Sequence, residues 1–222
     1  MDDDSHDLTL VRAFIRGSAP ELATLDDEAM IAAARAQGLR LHKFKRTAML
    51  PRVQRVLGIL EGLEPTSILD VGSGRGVFLW PLLDAIRGVA VTSVDRDPIR
   101  VRDVQAVAAG GITRLAGVEA DAAALPWPAA SFDIVTALEV LEHVDDPLPV
   151  ARELLRVARR FVVVSVPSQP DDNPEHVRLF DADTLTQLFA GLGAPRVQLA
   201  WVPGHMIATV TRPRTDTPPS HA

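Results

Sequence analysis

The sequence predicts an α/β fold built on a doubly wound sheet of seven strands, mostly parallel, with an antiparallel hairpin at its C-terminal end. Three observations carry that expectation. From Ser67 onward, short β-branched apolar runs alternate with stretches of helical period, the pattern of repeated βαβ units. The first run, Ile68-Leu69-Asp70-Val71, ends in Gly72-Ser73-Gly74-Arg75-Gly76, and a helix pattern follows from Val77 to Ile86. Glycines at every second position let the backbone turn sharply and aim helix N–H groups at a ligand beyond the strand end. Finally, Pro203-Gly204 separates the last two runs by a tight turn, which pairs them antiparallel.

Taken in order, residues 1 to about 57 read as helical. Leu8, Val11, Phe14 and Ile15 recur at helical spacing, Leu39, Leu41, Phe44 and Ala48 do so more loosely, and Pro20 and Pro51 mark breaks. The expected strands are 67–71, 90–94, 113–119, 132–138, 161–167, 197–202 and 205–211. Helices centre on Leu83, Val104, Leu154 and Leu188 between them. From Pro213 the composition turns to proline and threonine, which predicts a disordered tail. The expected organisation is a helical segment at 1–57, a core at 58–213 and a tail at 214–222. No internal repeat is visible.

Composition narrows the function. A chain of 222 residues, 47% hydrophobic and 23% charged, is long enough to bury a full core in one domain. A net charge of −6 argues against general affinity for nucleic acid. With no cysteine there is no disulfide, thiolate metal site or thiol nucleophile, and with no tyrosine no catalytic phenol. The acidic start Met1-Asp2-Asp3-Asp4 lacks a signal pattern, and no apolar run reaches the roughly 18 residues of a membrane span. The expected compartment is the cytoplasm. Of 23 basic residues only Lys43 and Lys45 are lysine, which together with the alanine content suits a GC-rich bacterial genome.

The glycine spacing selects the ligand. A dinucleotide turn wants G-x-G-x-x-G, and a phosphate loop wants a closing Gly-Lys-Ser/Thr. Asp70 to Gly76 reads D-x-G-x-G-x-G with no lysine, which favours a ligand without phosphate. The second strand ends in Asp95-Arg96, about 20 residues past the turn, where an acid can accept the ribose hydroxyls of an adenosine. The third strand is followed by Glu119-Ala120-Asp121-Ala122, and the fourth begins Ser131-Phe132-Asp133-Ile134-Val135. In this order the elements resemble class I S-adenosylmethionine-dependent methyltransferases over roughly residues 65 to 170. The resemblance implies a Rossmann-like core and S-adenosyl-L-methionine as cofactor. It implies Asp70, Gly72, Ser73, Gly74 and Gly76 at the turn, Asp95 and Arg96 at the ribose, and Asp121 and Ala122 at the adenine. Leu138 and Glu139 would close the methionine side. Asp133 lies at the opposite end of its strand and is expected to be structural.

A sharper cluster follows the fourth strand: Glu139-Val140-Leu141-Glu142-His143. Positions three apart share a helical face, so two carboxylates and an imidazole converge. Those ligands suit magnesium, manganese or zinc. The E-x-x-E-H spacing resembles two metal-using groups, the ubiquinone-pathway catechol O-methyltransferases and the small-RNA 2′-O-methyltransferases. The loop after the fifth strand offers His176 as a fourth ligand. The expected metal set is therefore Glu139, Glu142, His143 and His176, with His143, His176 and Glu142 as catalytic candidates. A metal-free alternative has His143 or His176 acting as base or orienting group.

The N-terminal segment has no acid between Glu28 and Glu61 but carries Arg35, Arg40, Lys43, Lys45, Arg46, Arg52 and Arg55. In related methyltransferases a helix here forms a lid, and a basic residue pairs with the methionine carboxylate. Lys43, Arg46 and Arg52 are the candidates for that role, and an anionic substrate or a solvated helix face are alternatives. The expectation is a methyltransferase acting on an oxygen or nitrogen of a small molecule, as a monomer or homodimer. An RNA 2′-O-methyltransferase and a non-catalytic cofactor-binding module are the rivals.

Overall fold

The computed structural model describes residues 7–44, 49–170 and 172–213. The candidate Arg46 and the tail at 214–222 lie outside the described residues. Seven strands form one sheet: β1 Ser67–Val71, β2 Ala90–Asp95, β3 Leu115–Glu119, β4 Phe132–Leu138, β5 Ala158–Pro167, β6 Arg196–Val202 and β7 His205–Thr211. Their order is β3-β2-β1-β4-β5-β7-β6. The first five are parallel, and β7 runs antiparallel to both β5 and β6. The hairpin turns at Gly204, whose φ is +78°. Strand β5 begins three residues earlier than the apolar run, at Ala158, because Ala158 pairs with Phe132 ahead of an irregularity in the β4–β5 register.

The helices are α1 Leu8–Ser18, α2 Asp27–Ala36, α3 Pro51–Leu63, α4 Leu79–Ala85, α5 Pro98–Ala109, α6 Pro147–Val157 and α7 Ala182–Ala190. Their starts are written locally. Asp97 and Asp146 cap α5 and α6, with proline at the first helical position, and Asp181 forms a capping box with Thr184 on α7. Alternate strand residues bury on opposite faces. Ile68, Ile134 and Val163 join α1 to α5 in one core, while Leu69, Val135 and Val164 join α6 and α7 in the other.

Segment 1–57 is not set apart from this core. Leu10, Val11, Phe14, Ile15, Met30 and Phe44 are buried in the same cluster as Ile68 and Val91. Helix α3 runs through position 57 to Leu63, because Val53, Val56, Leu57 and Leu60 form one unbroken apolar stripe. Helix α1 crosses α5 at backbone contact. A Cβ on Gly17 would stand 1.9 Å from the Ala106 carbonyl oxygen, and one on Gly110 1.7 Å from that of Ala13.

The chain leaves β1 for β2 and β3, then returns to β4 on the other side of β1. Order reverses between β1 and β4, and a crevice opens beyond their carboxyl ends. Among the described residues no helix is long and apolar enough to cross a membrane.

Candidate functional site

A pocket of about 620 Å³ occupies that crevice. Its floor is Asp70, buried at the end of β1. The Thr136 hydroxyl on neighbouring β4 donates to Asp70 Oδ1 at 2.8 Å. Asp70 Oδ2 and the Ser73 hydroxyl are buried with no hydrogen-bond partner among the described residues. Burial pushes the Asp70 carboxyl up to about 7, against the pull of the Thr136 hydrogen bond and with help from the Asp95 charge. Buried polar atoms are normally satisfied, so two orphans on one pocket floor fit a polar ligand above them.

The glycines divide by task. Gly72 (φ +74°) has no room for a side chain, since a Cβ would stand 2.5 Å from Val140 Cγ2. Gly74 (φ +55°) faces the pocket, and its N–H donates to Asp95 Oδ2 at 3.0 Å. Gly76 does not line the pocket, contrary to expectation. Its missing Cβ makes way for the Trp80 indole, whose Nε1 would lie 2.0 Å away and donates to the Arg75 carbonyl at 3.2 Å.

Asp95 also accepts from its own loop, through Oδ1, the N–H of Asp97 at 2.9 Å, and Arg100 lies 3.6 Å from Oδ2. Asp121 accepts the Ala123 N–H at 2.8 Å. Ser73, Arg96, Ala122, Leu138 and Glu139 line the same pocket. Lys43 does not. Burial of Phe44 carries that turn into the core, so Lys43 pairs with Asp103 on α5 and sits 4.4 Å over the Phe14 ring. Among the described residues of this segment, the basic one that lines the pocket is Arg52, at the start of α3.

The E-x-x-E-H stretch separates into two groups. Glu139 has φ +57°, in the left-handed region. Its Oε1 accepts the Ser165 hydroxyl at 2.6 Å, its Oε2 lies 3.0 Å from His205 Nε2, and Arg52 is 3.8 Å away. Burial pushes the Glu139 carboxyl up, but the hydrogen bonds from His205 and Ser165, with the charges of His205 and Arg52, hold it below the usual carboxylate range. His205 is raised above its ordinary value, chiefly by the hydrogen bond to Glu139.

Glu142, His143 and His176 form the other group, with one ligand atom from each lying within 4.8 Å of the others. Glu139 is not part of it. Glu142 is fully buried under the turn Leu141–His143. The loop after β5 is fastened over that turn, because the Val177 N–H donates to the Glu142 carbonyl at 2.9 Å. His143 Nδ1 lies 2.9 Å from the Glu175 carbonyl, and its ring meets His176 edge-on at 4.8 Å. Of the pair, only His143 lines the pocket.

Sequence reasoning missed His205, Ser165, Arg100 and Asn173. A signal existed for His205: a strand paired antiparallel to β5 must begin at the ligand edge, and His205 pairs with Pro167 there.

Residues 69–163 match a protein-family model described as a methyltransferase domain. That match covers the glycine turn, both pocket acids and the E-x-x-E-H turn, on a sheet whose order reverses at the pocket. The matched segment is similar to methyltransferase domains and covers a little under half of the chain. A ubiquinone biosynthesis O-methyltransferase of Pseudomonas fluorescens is 36% identical over 100 residues, 44% of this chain and 42% of that protein. The match thus spans about two fifths of the curated relative's length. A SAM-dependent methyltransferase from Aquifex aeolicus superposes with a TM-score of 0.58 at 19% identity, over 72% of this chain and 88% of that one. The N-terminal domain of EvdMO1, solved in the presence of SAH and D-fucose, gives 0.62 at 17% identity, over 86% and 98%. At these identities the structural likeness is one of fold.

Proposed function

We propose that this chain transfers the methyl group of S-adenosylmethionine to an oxygen of a small-molecule acceptor. The observation that carries the reading is one crevice in which an adenosine-type cradle meets a carboxylate–imidazole group. The partly matching O-methyltransferase of Pseudomonas fluorescens supports oxygen as the acceptor atom.

The bound cofactor supplies an electrophilic methyl on a sulfonium. Asp95 would accept the ribose hydroxyls, its two oxygens already fixed by the N–H groups of Gly74 and Asp97. Asp121, held by its own turn, would take the adenine amino group. Gly74 admits the ligand to the backbone, and Arg52 would face the methionine carboxylate. His143 donates Nδ1–H to the Glu175 carbonyl, so Nε2 is the nitrogen that accepts a proton. When the acceptor oxygen takes the methyl from the sulfonium, which departs as the thioether, Nε2 of His143 would take up the proton that oxygen gives up. Positioning at contact distance supplies much of the rate in such a displacement.

Glu142, His143 and His176 also fit a divalent ion such as magnesium. Donors about 2.0–2.6 Å from one ion lie up to about 5 Å apart, which covers this group. An ion there would lower the pKa of a bound hydroxyl and relieve His143 of the proton.

The test is transfer of labelled methyl from S-adenosylmethionine into source-cell extract, separated into small-molecule, RNA and protein pools, with and without chelator. Label among small molecules supports the proposal, and its loss with chelator assigns the ion. Label in RNA would make the enzyme an RNA methyltransferase, and no label in any pool would leave a binding module.

A further inference from the structure

We infer that Asn173 is a positioning residue that fixes the tautomer of His176, so that His143 is the histidine offering a lone pair to the pocket. The inference deepens the proposed reading of the two histidines as acceptor-side groups. It follows from which atoms can donate. Asn173 Oδ1 accepts the Glu175 N–H at 3.1 Å, which sets the amide's orientation. The atom facing His176 is therefore Nδ2, which lies 2.9 Å from His176 Nε2. An amide nitrogen only donates, so Nε2 carries a lone pair and the proton of the neutral ring sits on Nδ1. That is the tautomer a free histidine favours less. His143 is fixed in the same sense by a different partner, because the Glu175 carbonyl can only accept from Nδ1.

One short turn thus holds both rings. The His176 N–H donates to the Asn173 carbonyl at 3.1 Å and closes it. Within the pair, the Nε2 of His176 is capped by the Asn173 amide, while the Nε2 of His143 belongs to a residue that lines the pocket. Any ligand approaching His176 through Nε2 must first displace Asn173.

The test uses the full chain with ¹⁵N-labelled histidine, without cofactor, acceptor or metal, at about pH 8, above the ordinary histidine pKa of about 6.5. Long-range ¹H–¹⁵N correlation reads which ring nitrogen is protonated, and His143→Gln and His176→Gln assign the signals. In the wild type both rings should be protonated at Nδ1. Asn173→Asp keeps the shape but offers only acceptors, so His176 should invert to Nε2–H while His143 is unchanged. Asn173→Ala should lower the Nδ1–H share at His176, again sparing His143. A wild-type His176 protonated at Nε2, or an Asn173→Asp variant with no inversion, overturns the inference. So does inversion of both rings together, which would make Asn173 a loop-folding residue. Because no turnover is measured, these outcomes stand apart from whether methyl transfer is found.

Discussion

Replacing Asp70 by asparagine should stabilise the ligand-free protein at neutral and alkaline pH while weakening its cofactor site. Burial raises the Asp70 pKa from an ordinary 3.8 to about 7. A group whose folded pKa is raised contributes stability that is present below its unfolded pKa and lost as pH rises through the folded value. At about 1.4 kcal/mol per unit, the shift amounts to roughly 4 kcal/mol above pH 7, of which about 2–3 kcal/mol is lost between about pH 5 and pH 8. Asparagine keeps an oxygen for the Thr136 hydroxyl and removes the ionisation. Other groups that titrate in this window are shared by both proteins and cancel in the difference. Denaturant midpoints of the wild type and Asp70→Asn at the two pH values give that difference. The asparagine variant's advantage should grow by about 2–3 kcal/mol from the lower to the higher pH. A constant gap, or one that shrinks as pH rises, would refute the assignment of a strained carboxylate to the pocket floor.

Three further outcomes follow from the geometry. Asp95→Ala should weaken S-adenosylmethionine binding by about an order of magnitude or more, since about two hydrogen bonds to the ligand and the anchor of the Gly74 N–H go together; unchanged affinity by calorimetry would remove the ribose role. Gly17→Ala, which in an exposed helix gains about 1 kcal/mol, should instead cost about 1–3 kcal/mol, because its Cβ would stand 1.9 Å from a backbone oxygen of α5; a raised melting temperature would show that the helices can separate. For His205→Gln the sign depends on pH. His205 is raised and Glu139 lowered, so the pair's contribution, up to about 1 kcal/mol, is lost as pH rises through the His205 value or falls through that of Glu139. The wild type should therefore lead by most near pH 5–6 and by little near pH 9, and a lead that persists undiminished at the alkaline end would mean that the contact is not ionic.

The sheet was legible because its signals are local. A buried parallel strand shows as an apolar run, and ligand-facing residues are expected at its end, so Asp70, Gly74, Asp95 and Asp121, which line one pocket, could be read one strand at a time. Gly76 and Lys43 stand outside the pocket because an aromatic close by in the chain packs into the core: Trp80 takes the space beside Gly76, and buried Phe44 draws its neighbour Lys43 toward Asp103. Position 57 falls inside α3, one amphipathic helix that shares its core with the sheet.

The acceptor side depends on long-range pairings and was read less well for that reason. In E-x-x-E-H, spacing alone put Glu139 with Glu142 and His143. What separates it is a positive φ at Glu139 together with a serine on β5 and a histidine on β7. The register that sets His205 beside Pro167 exists only once the hairpin has docked on β5. The same holds for His176, which reaches His143 because the loop after β5 is fastened at Glu142 and Glu175. The residues expected to bind a shared cofactor lie on strand ends, while those proposed to face the acceptor are held by loop and register contacts. Substitutions in the 173–177 turn should therefore change acceptor preference and metal dependence while leaving cofactor affinity near its wild-type value. Calorimetry with S-adenosylmethionine on His176→Gln checks this directly, and a loss of cofactor affinity comparable to that of Asp95→Ala would show that the two halves of the pocket are not separable.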